Sequence, residues 1–163
     1  MGEFRTMEWE NIDFDTKQWL IPAEKMKMKT AHIVPLCDQA IQLLKALHEF
    51  TSYSTYVFPS IRSKTRPMSE NTVNASLRRL GYTTDQMCSH GFRTMVSTRL
   101  NKLSFRSDVI ERQLAHIDGN KVRSAYNRSE YIEERTSMMQ SYADYLDTLR
   151  EGATVIPINR RKA

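Results

Sequence analysis

The hydrophobic period of this chain changes near residue 37, and that change constrains the fold more than any other feature. Before it, Trp9, Ile12 and Phe14 alternate with polar neighbours, and an apolar segment follows at residues 19–21. After it, apolar residues recur three and four positions apart. Alternation predicts strands, and spacing of three and four predicts amphipathic helices. We therefore expect a mainly helical α+β fold, with a small antiparallel sheet near the amino terminus packed on the helices.

Polar segments divide the predicted elements. The lysine-rich stretch AEKMKMKTA separates the first strands from HIVPL at residues 32–36, which predicts a basic loop between antiparallel strands. The first long helix is expected from Asp38, with that residue as its N-cap. SIRSKTRP, at residues 60–67, is expected to form a basic loop. Later helices are expected at residues 69–80, 90–103, 107–116 and 129–150.

Helical spacing also predicts which side chains face the core. The helix from Asp38 has an inward face formed by Ala40, Ile41, Leu43, Leu44, Leu47 and Phe50. The helix at 69–80 turns Val73, Leu77 and Leu80 inward and leaves Arg78 and Arg79 outside. In the last helix the apolar side comprises Tyr131, Met138, Tyr142, Leu146 and Leu149.

Length and composition bound the domain organisation. The 163 residues suffice for one domain, which we place at residues 1–150, with residues 151–163 as a detachable tail. No apolar run reaches the length of a membrane span, and the acidic start does not match a secretory signal. Cys37 and Cys88 lack the spacing of a disulfide framework or a zinc site. A cytoplasmic protein without a metal or another cofactor is expected.

Basic charge is concentrated in the middle of the chain. The net charge is +5, yet residues 60–128 alone contain thirteen Lys and Arg against five Asp and Glu, a local excess of +8. A polyanion such as nucleic acid would be attracted to this region, with an affinity that falls as salt rises. Many cytoplasmic domains carry basic faces for solubility, so charge alone does not identify a DNA-binding protein.

The chain contains, in order, the residue types that a DNA-cleaving site without a metal requires. Such a site needs a nucleophile, cations for the phosphate oxygens, and proton-transfer groups. The candidates are Lys27 in the basic loop, His90 and Arg93 in HGFR, His116 in QLAH and Tyr126 in SAYNR. His90 and Arg93 are three residues apart, so on a helix both can reach one phosphate. Taken singly, each residue type is more often structural or merely exposed.

The order of these residues resembles the catalytic domain of tyrosine recombinases, and most of all that of phage and genomic-island integrases. The similar segments extend from residue 2 to about residue 147 and are EWENIDFD, IPAEKMKMKTAHIVPL, YVFPS, RPMSENTVNASLRRLGY, HGFR, RQLAH and AYNR. The resemblance implies site-specific DNA recombination and integration. In this reaction strands are cleaved and rejoined through a 3′-phosphotyrosyl intermediate without a cofactor.

The resemblance also implies a role for each candidate residue. Tyr126 matches the nucleophile, and Lys27 matches the lysine that protonates the leaving 5′-oxygen. Arg93 matches the second of two arginines that clamp the phosphate. His90 matches the residue that serves proton transfer, and His116 matches a position that contacts a non-bridging oxygen.

The amino terminus departs from the family pattern. Where the family has Arg-Pro-Gly-Glu, this chain reads Met1-Gly2-Glu3, so Glu3 matches the acid that supports the first arginine while that arginine is absent. Arg5 lies beyond Glu3, on the wrong side of the motif. We expect a fragment or a truncated gene, lacking the amino-terminal DNA-gripping domain as well. Loss of one electrostatic donor at a transferring phosphoryl group costs about 10²-fold to 10³-fold in rate, which predicts impaired cleavage.

The expected partner is double-stranded DNA, in the cytoplasm and associated with the nucleoid. The resemblance implies a tetramer of the full-length protein on DNA, whereas the isolated domain is expected to be a monomer. Candidate phosphate contacts are Arg62, Lys64, Arg66, Arg78, Arg79 and Arg123.

Two other functions compete with the recombinase interpretation. A non-catalytic DNA-binding module, or an inactive integrase remnant, would bind DNA in a salt-dependent manner that Tyr126→Phe leaves unchanged. A helical protein-interaction domain with incidental basic charge would show no affinity for DNA even at low salt.

Overall fold

A computed structural model describes residues 2–26, 29–115 and 131–152 of the chain. Its amino-terminal part contains a three-stranded antiparallel sheet of β1 (Ile12–Asp13), β2 (Gln18–Ile21) and β3 (His32–Pro35), in the order β1-β2-β3. Trp19 lies opposite Ile12 on one side and Val34 on the other. The predicted small antiparallel sheet is confirmed, and its second connection carries the lysine-rich segment.

Helices form most of the remaining described chain, which confirms the mainly helical α+β fold. The helices are α1 (Gly2–Arg5), α2 (Asp38–Thr51), α3 (Thr72–Arg79), α4 (Gly91–Lys102), α5 (Ser107–Gln113) and α6 (Ile132–Arg150). In α2 the N-cap is Cys37, one residue before the predicted position. Asp38 belongs to the first helical turn, and its carboxylate accepts a bond from Lys17 Nζ at 2.6 Å. Within the described ranges no helix is long and apolar enough to cross a bilayer.

The segment expected to be a basic loop instead forms a β-hairpin. Its strands are β4 (Pro59–Ser60) and β5 (Ser63–Pro67), paired antiparallel. The buried hydroxyl of Ser54 donates to the Lys64 carbonyl at 2.8 Å, which ties β5 to the body of the protein. The prediction was wrong because these strands are held by backbone bonds and hydroxyl contacts and have almost no apolar side chains to reveal a period.

Two hydrophobic clusters form the core. The first joins the sheet to α2 and the segment before the hairpin, through Met7, Ile12, Leu44 and Val57. The second joins α4, α5 and α6, through Leu100, Val109, Ile110, Met138 and Tyr142. Strand β3 packs against α6 and so connects the two halves.

Three apolar side chains that helical spacing directed inward are largely exposed. Leu43 and Phe50 of α2 are each 73% exposed, while Ile41 and Leu44 are buried. The sheet covers only a narrow stripe of α2, so the edges of the predicted face reach solvent. Leu80 is 74% exposed because α3 ends at Arg79 and the helical period no longer sets its direction.

Candidate active site

The HGFR motif lies at the start of α4 and lines a cavity. His90 occupies the N-cap of α4, and Arg93 lies in the first helical turn. Both line an open cavity of about 200 Å³, together with the side chains of Thr94, Ser97 and Thr98. The residues around the cavity thus carry an imidazole, a guanidinium and three hydroxyls. The guanidinium and the hydroxyls can donate hydrogen bonds to an anion such as a phosphate, and the imidazole can also transfer a proton.

The Arg93 guanidinium is held by the end of a second helix. Its Nη2 donates a hydrogen bond to the main-chain carbonyl of Leu114, the C-cap residue of α5. The last carbonyls of a helix have no partner within the helix and attract cations. This contact fixes the side chain of Arg93 beside the residues that immediately precede His116.

Helix α3 holds the loop that leads into His90. The Ser89 amide donates to Asn74 Oδ1 at 2.8 Å, and Arg78 donates from Nη1 to Thr84 Oγ1 at 2.8 Å. Arg78 Nη2 also donates to the Met87 carbonyl. Arg78 was expected to face outward, but its half-buried guanidinium binds this loop. These bonds position the start of α4.

A buried polar cluster lies between β3, α5 and α6. Arg135 of α6 is fully buried, and His32 of β3 is 3% exposed. Arg135 Nη2 donates to the Ile33 carbonyl at 2.6 Å, and Arg135 Nε donates to Gln113 Oε1 at 2.9 Å. Arg135 Nη2 also lies 3.5 Å from His32 Nε2. One guanidinium therefore joins the sheet to the end of α5.

Burial decides the charge states in this cluster. Desolvation lowers the pKa of His32 from 6.5 to about 4, and the positive charges of Arg135, Arg112 and Arg93 act in the same direction. Desolvation also lowers the pKa of Arg135, to about 10. At neutral pH His32 is thus uncharged and Arg135 keeps its positive charge.

Arg135 was not among the predicted site residues, although its spacing from Met138 and Tyr142 indicates that it lies on the buried face of α6. Residues 135, 138 and 142 share one helical face, and Met138 and Tyr142 are buried. The predicted apolar side extended instead to Leu146 and Leu149, which are 41% and 46% exposed. An arginine on a buried face usually indicates a specific set of acceptors.

The amino-terminal residues make contacts of their own. Arg5 Nη1 donates to the Met68 carbonyl at 3.2 Å, and its Nη2 lies 3.7 Å from Glu70 Oε1. Lys25 Nζ forms an ion pair with Glu8 at 2.5 Å. Glu3, the predicted supporting acid, is half-buried in α1. Arg5 and Lys25 thus contact the protein itself.

Four other basic candidates lie on exposed surfaces. Arg62, Lys64 and Arg66, named here the hairpin cations, are exposed on the β4–β5 hairpin. Lys64 Nζ lies 5.4 Å from the ring centroid of Tyr53. Arg79 is exposed at the end of α3. These four side chains are accessible to a polyanion.

Four predicted site residues lie outside the described residues, so their positions relative to the cavity stay predictions. They are Lys27, His116, Arg123 and Tyr126. The structure therefore brings together His90 and Arg93 of the predicted set and places the residues just before His116 beside Arg93. Within the described ranges no three His, Cys, Asp or Glu side chains cluster closely enough to hold a metal ion.

Comparison with known proteins decides the family. Residues 1–133 match the phage integrase family. The chain belongs to that family. Among curated proteins, prophage integrase IntA of Escherichia coli K12 is 44% identical over 155 residues. The integrase of Enterobacteria phage P4 is 45% identical over 164 residues, and that of Shigella phage Sf6 is 40% identical over 146 residues.

These matches cover most of this integrase-family chain but only part of each relative. The alignment covers 95% of this chain for IntA, 91% for the phage P4 protein and 89% for the phage Sf6 protein. The chain spans 37% of the length of the first two relatives and 38% of the third. No solved structure matches the chain.

Proposed function

We propose that residues 1–150 form the catalytic domain of a site-specific DNA recombinase that cleaves and rejoins DNA through a 3′-phosphotyrosyl intermediate. The family and the relatives named integrases support recombination as the process. The ordered residues Lys27, His90, Arg93, His116 and Tyr126 supply the groups that this chemistry needs.

In the proposed reaction the Tyr126 hydroxyl oxygen attacks the scissile phosphorus. A P–O bond forms to tyrosine while the bond to the 5′-oxygen breaks, so the number of phosphoester bonds is unchanged. His90 accepts the proton that leaves the tyrosine hydroxyl, and Lys27 supplies a proton to the departing 5′-oxygen. Arg93 and His116 stabilise the charge that develops on the non-bridging oxygens. The reverse attack by a 5′-hydroxyl rejoins a strand.

The observation that carries this proposal is the shared cavity of His90 and Arg93. A guanidinium fixed by a helix-end carbonyl provides a preorganised positive charge, which stabilises a transition state more than a mobile side chain does. His90, which lines the same cavity, carries an imidazole that can accept or donate a proton.

Relaxation of supercoiled plasmid in the presence of EDTA tests the proposal. We would compare the chain with an extended protein, in which the amino-terminal part of the phage P4 integrase is joined ahead of residue 2. The third protein is the extended protein with Tyr126→Phe. We expect the extended protein to relax the plasmid and the Tyr126→Phe version to be inactive. The rate of the chain alone relative to the extended protein measures the expected impairment.

Two outcomes would contradict the proposal. Equal relaxation by the Tyr126→Phe protein would show that Tyr126 is not the nucleophile. No relaxation by a folded extended protein would favour a non-catalytic DNA-binding module, for which the exposed hairpin cations are the supporting observation. Salt-dependent DNA binding unaffected by Tyr126→Phe would then be expected.

A further inference from the structure

We propose that Arg135 is a positioning residue for Arg93, the phosphate-binding arginine of the proposed active site. The inference rests on the proposed function for its effect on catalysis. Arg135 lies outside the cavity and acts through the end of α5. Its guanidinium fixes that helix end, and the helix end in turn fixes the guanidinium of Arg93.

The first step is the attachment of α5 to the sheet. Arg135 Nε donates to Gln113 Oε1 at 2.9 Å, and Nη2 donates to the Ile33 carbonyl at 2.6 Å. Gln113 is the last residue of α5, and Ile33 lies in the middle of β3. Because Arg135 is fully buried and planar, it holds both acceptors in one geometry.

The second step is the contact between α5 and Arg93. Leu114 follows Gln113 directly, and its carbonyl accepts the bond from Arg93 Nη2. The Leu114 amide bonds the Ile110 carbonyl at 3.0 Å, so the backbone that carries this acceptor continues the helix. A shift of the Gln113 end of α5 would therefore move the Leu114 carbonyl and, with it, the Arg93 guanidinium.

Electrostatics places the same groups close together. The charges of Arg135, Arg112 and Arg93 all lower the pKa of His32, which lies beside Arg135. His32 is uncharged at neutral pH and leaves the field of the three arginines intact. The bonds through the end of α5 give Arg135 its route to the cavity, and the effect of the Arg93 and Arg135 charges on His32 is a second sign that the groups lie near one another.

The first test compares plasmid relaxation by the extended protein with that by its Arg135→Met variant at saturating and limiting DNA. We expect the saturating rate to fall about 10-fold to 100-fold, because a displacement of about 1 Å at a catalytic group has an effect of that size. The half-saturating DNA concentration should stay unchanged, because Arg135 is buried away from DNA. Arg150→Met on the same helix is the matched control. Arg150 is exposed, and its ion pair within the described residues is with Asp147.

A double-mutant cycle separates positioning from general destabilisation. If Arg135 acts through Arg93, Arg135→Met should reduce the rate of an Arg93→Lys protein by less than about 2-fold further. Multiplicative effects of the two substitutions would overturn the inference. Gln113→Met provides a second variant in case Arg135→Met does not fold, and it should reproduce the loss of rate by breaking the same link.

A second measurement does not depend on catalysis. The Nε–H resonance of Arg93, assigned by its loss in Arg93→Lys, should shift in Arg135→Met and stay in place in Arg150→Met. An unshifted resonance together with an unchanged rate would overturn the inference. A shifted resonance in a protein that never relaxes DNA would support the link between the arginines while contradicting the proposed function.

Discussion

The buried imidazole of His32 makes a quantitative prediction about stability and pH. Its pKa is 6.5 in an exposed environment and about 4 in the folded protein. As pH falls below 6.5, the unfolded chain takes up a proton that the folded protein does not, so the free energy of unfolding decreases. The full difference of 2.5 pH units corresponds to about 3 kcal/mol at 1.36 kcal/mol per unit, lost between pH 6.5 and pH 4.

Urea unfolding followed by tryptophan fluorescence, at half-unit steps from pH 7.5 to pH 4, measures this loss. Stability should fall by about 1.2 kcal/mol per pH unit near pH 5, where about 0.9 proton is taken up on unfolding. His32→Gln should remove most of this slope. His48→Gln should retain the slope, because His48 is an exposed residue whose ring contacts only the edge or face of Trp9 among the described ring pairs. Equal slopes in wild type and His32→Gln would refute the reasoning.

Two further predictions concern the backbone and the surface. Gly81, which follows α3, has a φ of +92°, and a Cβ added at Gly81 or at Gly2 would have no atom within 4 Å. Gly81→Ala should therefore lower the free energy of unfolding, measured in urea, by about 1 kcal/mol through backbone strain alone. Gly2→Ala should change it by less than about 0.5 kcal/mol. Equal losses would contradict the strain argument. Replacing the three hairpin cations by alanine should reduce the slope of log affinity for DNA against log salt by about 2 to 3, since each phosphate contact contributes about 0.9. An unchanged slope would place the DNA elsewhere, and Arg150→Ala is the control for a general loss of charge.

The sequence predicted the elements whose side chains carry a clear period. The alternation before residue 37 identified the sheet, and the spacing after Asp38 identified the start of α2 to within one residue. The β4–β5 hairpin was missed because its strands are polar. They are held by groups such as the Ser54 hydroxyl, which bonds Lys64 of β5, ten residues further along the chain. Spacing also overestimated the width of buried faces, as the exposure of Leu43 shows.

For the candidate site, an ordered set of motifs could be recognised, but the contacts that hold it could not. HGFR indicates His90 and Arg93 together because they are close in sequence. The bond from Arg93 to the Leu114 carbonyl joins residues 21 positions apart, and the Arg135 contact with Ile33 joins residues 102 apart. Every residue type has a main-chain carbonyl, so any residue at position 33 or 114 would offer the same acceptor oxygen. The sequence therefore cannot indicate these contacts.

The described partners of Arg135 carry no formal negative charge. A buried arginine is commonly paired with a carboxylate, which cancels its charge. The described partners of Arg135 are instead a side-chain amide, a main-chain carbonyl and an uncharged imidazole. Each accepts from or faces the guanidinium without a formal negative charge, so directed hydrogen bonds rather than an ion pair hold Arg135 in place. On the proposed route a phosphate in the cavity meets Arg93, which lines it, while Arg135 reaches the site only through its bond to the end of α5.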